Sequence, residues 1–441
     1  MIAQPSPLNA LAVELNKTIE EHAPAVLRML SVLGKKLYFP KGIVTQGAEA
    51  KAKAHRYNAS IGEARELRHS MGLSAITRHL ADLDPDQALP YAPSAGRPDL
   101  RAAWLDDIKE KNPSLCDTPI SLPVVTSGVT HGLSTVADMF VDEGDLLLLP
   151  DQLWGNYRLI FGVKRGANVG TYPLLGPEGG FCVEGFRRTI KESARAGKLV
   201  VIFNFPNNPT GYSITPAEAD AIRDILVGEA AEQGCDVVAV CDDAYFGLFY
   251  DEGALKESLF TRLAEAHARI LVIKLDGATK EDYAWGLRVA FVTYAVKGGA
   301  GAYEALEKKT GGCIRGTISN SPNLSQALVL QAMADPDYRA QKAQKFEVLK
   351  RRADKVREVL AQPRFAEAWK VYPFNSGYFL CLHMNGLDAE EYRVRLLNDY
   401  GVGVISTSDT DVRVALSCVD EDDIADLFDV MLTCALEMKK G

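Results

Sequence analysis

Residues 269–294 read RILVIKLDGATKEDYAWGLRVAFVTY. Two apolar runs, RILVIKL (269–275) and RVAFVTY (288–294), flank a linker with no amphipathic helix in it. Runs that are continuously apolar rather than alternating suit strands covered on both faces. A parallel crossover takes about a dozen residues or more, usually including a helix, so this linker predicts that the second strand runs antiparallel to the rest of its sheet. The linker also carries Lys280 beside Glu281 and Asp282, with Arg288 further on. Most lysines of soluble proteins are solvated charges, so the surroundings of Lys280 must decide whether it is more than that.

Working outward, similar runs recur at LPVVT (122–126), DLLLLP (145–150), ANVGTYP (167–173), KLVVIFN (198–204) and DVVAVCD (236–242). Helix-like segments separate most of them, among them THGLSTVADMF and TPAEADAIRDILVGEAAEQG. Strands alternating with helices predict βαβ units and an α/β fold: a mostly parallel seven-stranded sheet with helices on both faces. Past residue 330 a long charged helix, Tyr338 to Leu360, leads into VYPF, GYFLCLHM, VRVAL and a terminal helix, the order of a smaller α+β domain. Residues 1–85 carry helical patterns and the Gly/Pro-punctuated FPKGIVTQGAEA, read as an arm and part of the small domain. The expected division is therefore 1–85, 86–330 for the large domain, and 331–441 for the C-terminal small domain.

Composition narrows the class. A chain of 441 residues exceeds the size at which a single core stops growing, and 47% hydrophobic with 24% charged residues is globular. The formal charge of -9, from 58 acidic and 49 basic residues without long blocks, offers no basic stripe for nucleic acid. No apolar run approaches the roughly 18 residues of a membrane span, and the N-terminus lacks the pattern of a secretion signal. The chain is read as cytoplasmic. Eight scattered cysteines without a CxxC pair suit buried thiols in a reducing compartment, and seven dispersed histidines give no metal site.

Ligands of open α/β sheets bind beyond the carboxyl ends of the strands. After LPVVT, Ser127, Gly128, Val129 and Thr130 open a helix whose free amides and dipole suit a phosphate, although such caps arise for structural reasons as often. After DLLLLP, Trp154 of DQLWGNY is either core or a platform for a planar heterocycle. After KLVVIFN, Asn208-Pro209-Thr210-Gly211 is turn chemistry first. After DVVAVC, Asp242 offers a carboxylate that would keep a pyridine nitrogen protonated, and Tyr245 a phenol for a ring oxygen. Lys280 completes the set. A phosphate site, a platform, an amide, a carboxylate with a phenol and a lysine together point to pyridoxal phosphate.

NPTG, then DDAY, then a lysine followed eight positions later by an arginine resembles the aspartate aminotransferase family of pyridoxal-phosphate enzymes of fold type I, from about residue 58 to 418. The resemblance makes Lys280 the lysine that joins the cofactor aldehyde; Lys274, inside a strand run, has no such match. It places Asp242 on the pyridine nitrogen, Tyr245 and Asn208 on the ring hydroxyl, and Trp154 on the ring face. Ser127, Gly128, Val129 and Arg288 would hold the phosphate, with Tyr91 of YAPSAG reaching it from a second subunit. Arg413 resembles the arginine that grips the substrate α-carboxylate, and Gly62 the glycine at the substrate mouth. Arg315 is either the arginine that takes a distal carboxylate across a homodimer or a plain surface or interface arginine.

Two departures stand out. Position 277, often a serine that donates to the phosphate, is glycine here, so the phosphate cup is expected to be one donor poorer. Glu281 and Asp282 would oppose nucleophilicity at Lys280 if they faced it, and both are expected to point outward. The resemblance implies ping-pong transamination between an L-amino acid, dicarboxylic if Arg315 serves, and a 2-oxo acid. Lyase and decarboxylase chemistry occur on the same fold, as do non-catalytic regulators; Arg413 counts against loss of the α-carboxylate.

Overall fold

In the computed structural model of the chain, which describes residues 8–39, 42–81 and 83–440, the seven apolar runs form one sheet. Its strands are β1 (Val124–Thr126), β2 (Leu146–Pro150), β3 (Asn168–Tyr172), β4 (Lys198–Asn204), β5 (Asp236–Asp242), β6 (Ile270–Gly277) and β7 (Ala290–Ala295), in the spatial order β1-β7-β6-β5-β4-β2-β3. Strands β2 to β6 pair in parallel. As the short linker requires, β7 is antiparallel to both its neighbours, pairing Ala290 with Gly277 of β6 and with Thr126 of β1.

Alternate residues of β4 feed two cores: Leu199, Val201 and Phe203 pack on one face, Val200 and Ile202 on the other. That explains the unbroken run, since burying each such side chain is worth about 1.5–3 kcal/mol whichever way it points. Helix α1 (Val129–Phe140) covers the second face through Leu133, Val136 and Ala137.

The long charged helix spans Tyr338–Leu360, as the sequence indicates, and its Val356 and Val359 join the core of a smaller unit. There β8 (Trp369–Val371), β9 (Phe379–Met384), β10 (Ile405–Ser406) and β11 (Asp411–Ala415) form an antiparallel sheet ordered β8-β9-β11-β10. The N-terminal region reaches this unit through Tyr57–Asn58, which pairs in parallel with Val402–Gly403. Within FPKGIVTQGAEA, residues Ile43–Lys53 make a helix; Pro40 and Lys41 lie outside the described residues. Among the described residues no helix is long and apolar enough to cross a membrane.

Candidate active site

The carboxyl ends of β4, β5 and β6 open into a cavity of about 190 Å³ between the large sheet and the smaller unit. Gly62, Val129, Trp154, Asn208, Asp242, Tyr245, Lys280, Arg288 and Arg413 line it. These residues come from distant parts of the chain, and only the sheet topology unites them.

Lys280 sits on a one-turn helix, Ala278–Glu281, directly after β6. Its Nζ donates to the Gly62 carbonyl at 2.7 Å and stands 5.3 Å from the centre of the Tyr245 ring. Burial, with Arg288 and Arg413 nearby, lowers its pKa to about 8, so a reactive neutral amine is accessible near neutral pH. Lys274 contrasts with it. Fully buried in β6, it contacts Asp243 at 2.5 Å and Asp276 at 3.1 Å, and its pKa is raised because these acids outweigh the burial. Lys274 is a structural cation. We expect Lys274→Met to destabilise the fold by about 3 kcal/mol, because two buried acids lose their partner, while leaving cofactor attachment in place; urea unfolding and hydride trapping measure the two effects.

Asp242 ends β5 with its carboxyl buried, and burial pushes its pKa up to about 6 despite a 2.5 Å hydrogen bond from the Tyr157 hydroxyl and one of 3.2 Å from the Ala244 amide. Asn204 donates to the Asp242 carbonyl and accepts from the Asn208 amide, tying the ends of β4 and β5 together. Tyr157 and Asn204 were not identified from the sequence. Tyr157 closes the stretch DQLWGNY, and its ring packs edge-on at 5.4 Å from Trp154; a hydrogen bond to another strand leaves no local pattern to read. Ile43, Thr130, Thr279 and Phe379 line the cavity as well.

On the other side, Arg413 of β11 is buried. It donates to Asn208 Oδ1 at 3.0 Å and to the Ser60 carbonyl at 2.9 Å, and lies over the Phe379 ring at 4.1 Å. Among the described residues its Nε has no partner and no carboxylate pairs with it. A buried guanidinium without a counter-ion is costly, so this one is set for an anionic ligand.

Arg288 is also without a carboxylate partner among the described residues, and takes a left-handed backbone (φ 55°). Gly128 has φ 83°, and a Cβ there would overlap the Arg288 guanidinium, so glycine is what lets this arginine lie against the start of α1. Ser127 is less directly placed: its amide donates to His131 Nδ1 at 3.0 Å, and it borders rather than lines the cavity.

Tyr91 and Arg315 are not in this cavity. Tyr91 is 91% exposed, and the two share a surface groove with Ile318, Asn320 and Leu324. Arg315 Nη1 donates to Ser319 Oγ at 2.7 Å.

The outward orientation expected for Glu281 and Asp282 is corrected. Both turn inward, away from Lys280, into an ion cluster: Glu281 contacts Lys111 at 2.7 Å and Lys342 at 3.1 Å, while Asp282 contacts Lys342 at 2.7 Å and accepts from the Tyr338 hydroxyl at 2.6 Å. Helices Pro98–Lys111 and Tyr338–Leu360 converge there and bring the lysines. The acids are neutralised by their own partners, so the amine next to them still has a lowered pKa.

These residues fit pyridoxal phosphate: a helix N-terminus and an unpaired arginine for the dianion, a buried carboxylate for the ring nitrogen, an aromatic wall, and an amine for the aldehyde.

Comparison with known proteins agrees. A family profile described as "Aminotransferase class I and II" matches residues 57–431. An aspartate aminotransferase from Geobacillus stearothermophilus is 26% identical over 254 residues, 56% of this chain and 57% of that protein. An aspartate/prephenate aminotransferase from Thermus thermophilus is 30% identical over 203 residues, 46% of this chain and 47% of that protein. The chain thus spans about half the length of the curated relatives it matches. A solved aminotransferase from Anaerococcus prevotii shares the fold at a TM-score of 0.82 and 22% identity, covering 92% of this chain and 99% of that one. A fold shared over 92% of the chain, a family profile matching residues 57–431 and a cavity suited to pyridoxal phosphate converge: the chain belongs to the class I and II aminotransferases, a family of pyridoxal-phosphate enzymes.

Proposed function

We propose that the chain is a cytoplasmic homodimeric transaminase that moves an amino group between an L-amino acid and a 2-oxo acid. The observation that carries this reading is that one cavity holds both a buried lysine of lowered pKa and a buried arginine with no carboxylate partner among the described residues. Bound pyridoxal phosphate supplies an electron sink that acidifies the Cα–H bond of an attached amino acid. Lys280 would hold the cofactor aldehyde and would serve as the base that takes the substrate Cα proton on its Nζ. Asp242, steadied by Tyr157, holds the ring nitrogen in its protonated form; Tyr245 and Asn208 serve the ring hydroxyl, and Trp154 the ring face. Arg413 orients the substrate by its α-carboxylate, with Gly62 at the mouth, and keeping that carboxylate bound disfavours its loss. Arg288, Ser127, Gly128 and Val129 serve the phosphate.

Tyr91 and Arg315 act on a second copy of the chain, which their common exposed groove supports. In that role Arg315 takes the distal carboxylate of a dicarboxylic substrate; the names of the relatives favour aspartate. Mixing the holoenzyme with single amino acids and following loss of the aldehyde absorbance tests this. Aspartate or glutamate is expected among the fastest donors, and Arg315→Ala to slow these about 10- to 100-fold, the worth of a charged hydrogen bond, while sparing alanine and tyrosine. Faster neutral donors together with a silent Arg315→Ala would rule out the dicarboxylate role.

A further inference from the structure

Lys280 stands on a helix of a single turn, Ala278–Glu281, too short to hold its own shape, because nucleating a helix costs more than one turn of hydrogen bonds returns. The backbone bonds around it are long. The Ala278 amide reaches the Val289 carbonyl and the Asp282 amide the Ala278 carbonyl at 3.2 Å each, and the Tyr283 amide the Lys280 carbonyl at 3.3 Å. Tyr283 then takes a left-handed φ of 54°, a strained exit for a residue with a side chain. Contacts from outside the turn must therefore fix where the amine points.

The next two side chains supply them. Successive residues of a helix diverge by about 100°, so while Lys280 faces the cavity, Glu281 and Asp282 leave on other sides of the turn. One cation joins them: Lys342 Nζ lies 3.1 Å from Glu281 Oε1 and 2.7 Å from Asp282 Oδ1. Lys111 holds Glu281 a second time, and a Cβ at Gly247 (φ 87°) would come within 3.2 Å of the same carboxylate oxygen, so the acid lies against the chain two residues past Tyr245. Asp282 is 1% exposed and its Oδ2 has no partner among the described residues; Lys342 is the cation in contact with it. On the far side of the turn the Tyr378 hydroxyl donates to the Lys280 carbonyl at 2.9 Å.

We propose that Lys342 is a positioning residue for the reaction: by holding Glu281 and Asp282 together it fixes the turn that aims the Lys280 amine into the cavity. The inference rests on the transaminase reading of Lys280. An exposed ion pair would not serve, since such pairs are worth little and leave both side chains mobile. This one is buried, where removing one partner strands the others. The same contacts keep the acids from working against the amine. Burial, with Arg288 and Arg413, lowers the pKa of Lys280, and a carboxylate left unpaired beside it would act in the opposite sense.

Lys342→Met keeps the reach of the side chain and removes its charge. In the variant loaded with pyridoxal phosphate, kcat for the fastest amino donor is expected to fall about 10- to 100-fold, the effect of displacing a reacting group by about 1 Å, with KM within about threefold of wild type because Arg413 is untouched. In the cofactor-free chain, the pH midpoint for attachment of pyridoxal phosphate to Lys280 should rise from about 8 by about one unit, because two acids near the amine have lost their counter-ion. Adding Glu281→Gln and Asp282→Asn removes the stranded charges, so the midpoint should return to about 8 while turnover stays low. Turnover of Lys342→Met within about threefold of wild type would overturn the assignment. Recovery of turnover in the triple variant would overturn it too, since charge and not the aim of the turn would then be the cause. If Lys342→Met does not fold, Asp282→Asn takes its place, keeping the Tyr338 contact and breaking the ion pair: kcat about tenfold lower at unchanged KM is expected, and wild-type kcat overturns the proposal. A wild-type chain in which pyridoxal phosphate links to no lysine, or to another one, refutes the reading of Lys280 itself; attachment at Lys280 with an inert Lys342→Met refutes the positioning role alone.

Discussion

Hydride reduction of the chain saturated with pyridoxal phosphate is expected to fix the cofactor on Lys280 and on no other lysine, and Lys280→Ala to lower turnover about 10⁴-fold. The magnitude is that of removing a positioned proton carrier, at the upper end because the same side chain also anchors the cofactor. Selectivity follows from the cavity, where Lys280 is the lysine that reaches the wall, while the buried Lys274 is engaged by Asp243 and Asp276. The pH profile should follow the neutral amine. With the pKa lowered to about 8, attachment in the cofactor-free chain should speed up about tenfold per unit below that pH and level off above it. The stability effect has a definite sign. A base whose folded-state pKa is lowered costs the fold most below that pKa, where the buried amine is charged, and the cost fades as pH rises from about 8 towards the ordinary 10.5. Lys280→Met should therefore raise the melting temperature of the cofactor-free chain at pH 7. Peptide mapping that finds the trapped cofactor elsewhere would contradict the assignment of Lys280.

The sheet was readable in the sequence for a reason visible in β4, where Leu199 to Phe203 are buried on both faces and apolarity cannot alternate. The direction of β7 was readable from linker length, because chain connectivity admits few alternatives. The cavity was readable only in part. Asp242 ends a recognisable strand and Tyr245 and Lys280 follow within three residues of a strand end, so topology places them together. Glu281 and Asp282 were misread because charged residues in a short linker usually face water; their partners, Lys111 and Lys342, come from helices whose convergence no local pattern announces. Tyr157 stood in plain view three residues after Trp154, but its hydrogen bond to Asp242 depends on how β2 and β5 are spaced across the sheet.

Asp242→Asn is expected to cut turnover about 10³-fold while making the cofactor-free chain more stable, and the opposite signs distinguish a catalytic carboxylate from a structural one. The loss is of the size found when a preorganised electrostatic partner is removed from a buried site: an amide cannot hold the ring nitrogen protonated. The gain follows from burial. Asp242 has its pKa raised to about 6 from 3.8, so its contribution to stability is fully present below the unfolded value and is lost as pH rises through about 6, by an amount on the order of 3 kcal/mol. Asparagine keeps the shape, can still accept from Tyr157, and stays neutral, so denaturant unfolding of the cofactor-free variant should show a stability advantage that appears between about pH 4 and 6 and persists above. In the proposed site a protonated pyridine ring would supply the missing counter-charge, so pyridoxal phosphate should bind more weakly as pH falls below about 6, and the variant should lose that dependence. A variant that keeps turnover within about tenfold, or is less stable than wild type at pH 8, would show that the carboxylate is part of the scaffold and that the ring nitrogen lies elsewhere. Lys280 and Arg413 share the logic, each a charge buried without a full partner in the free chain. Three such groups lining one cavity suit a ligand that supplies the partners they lack.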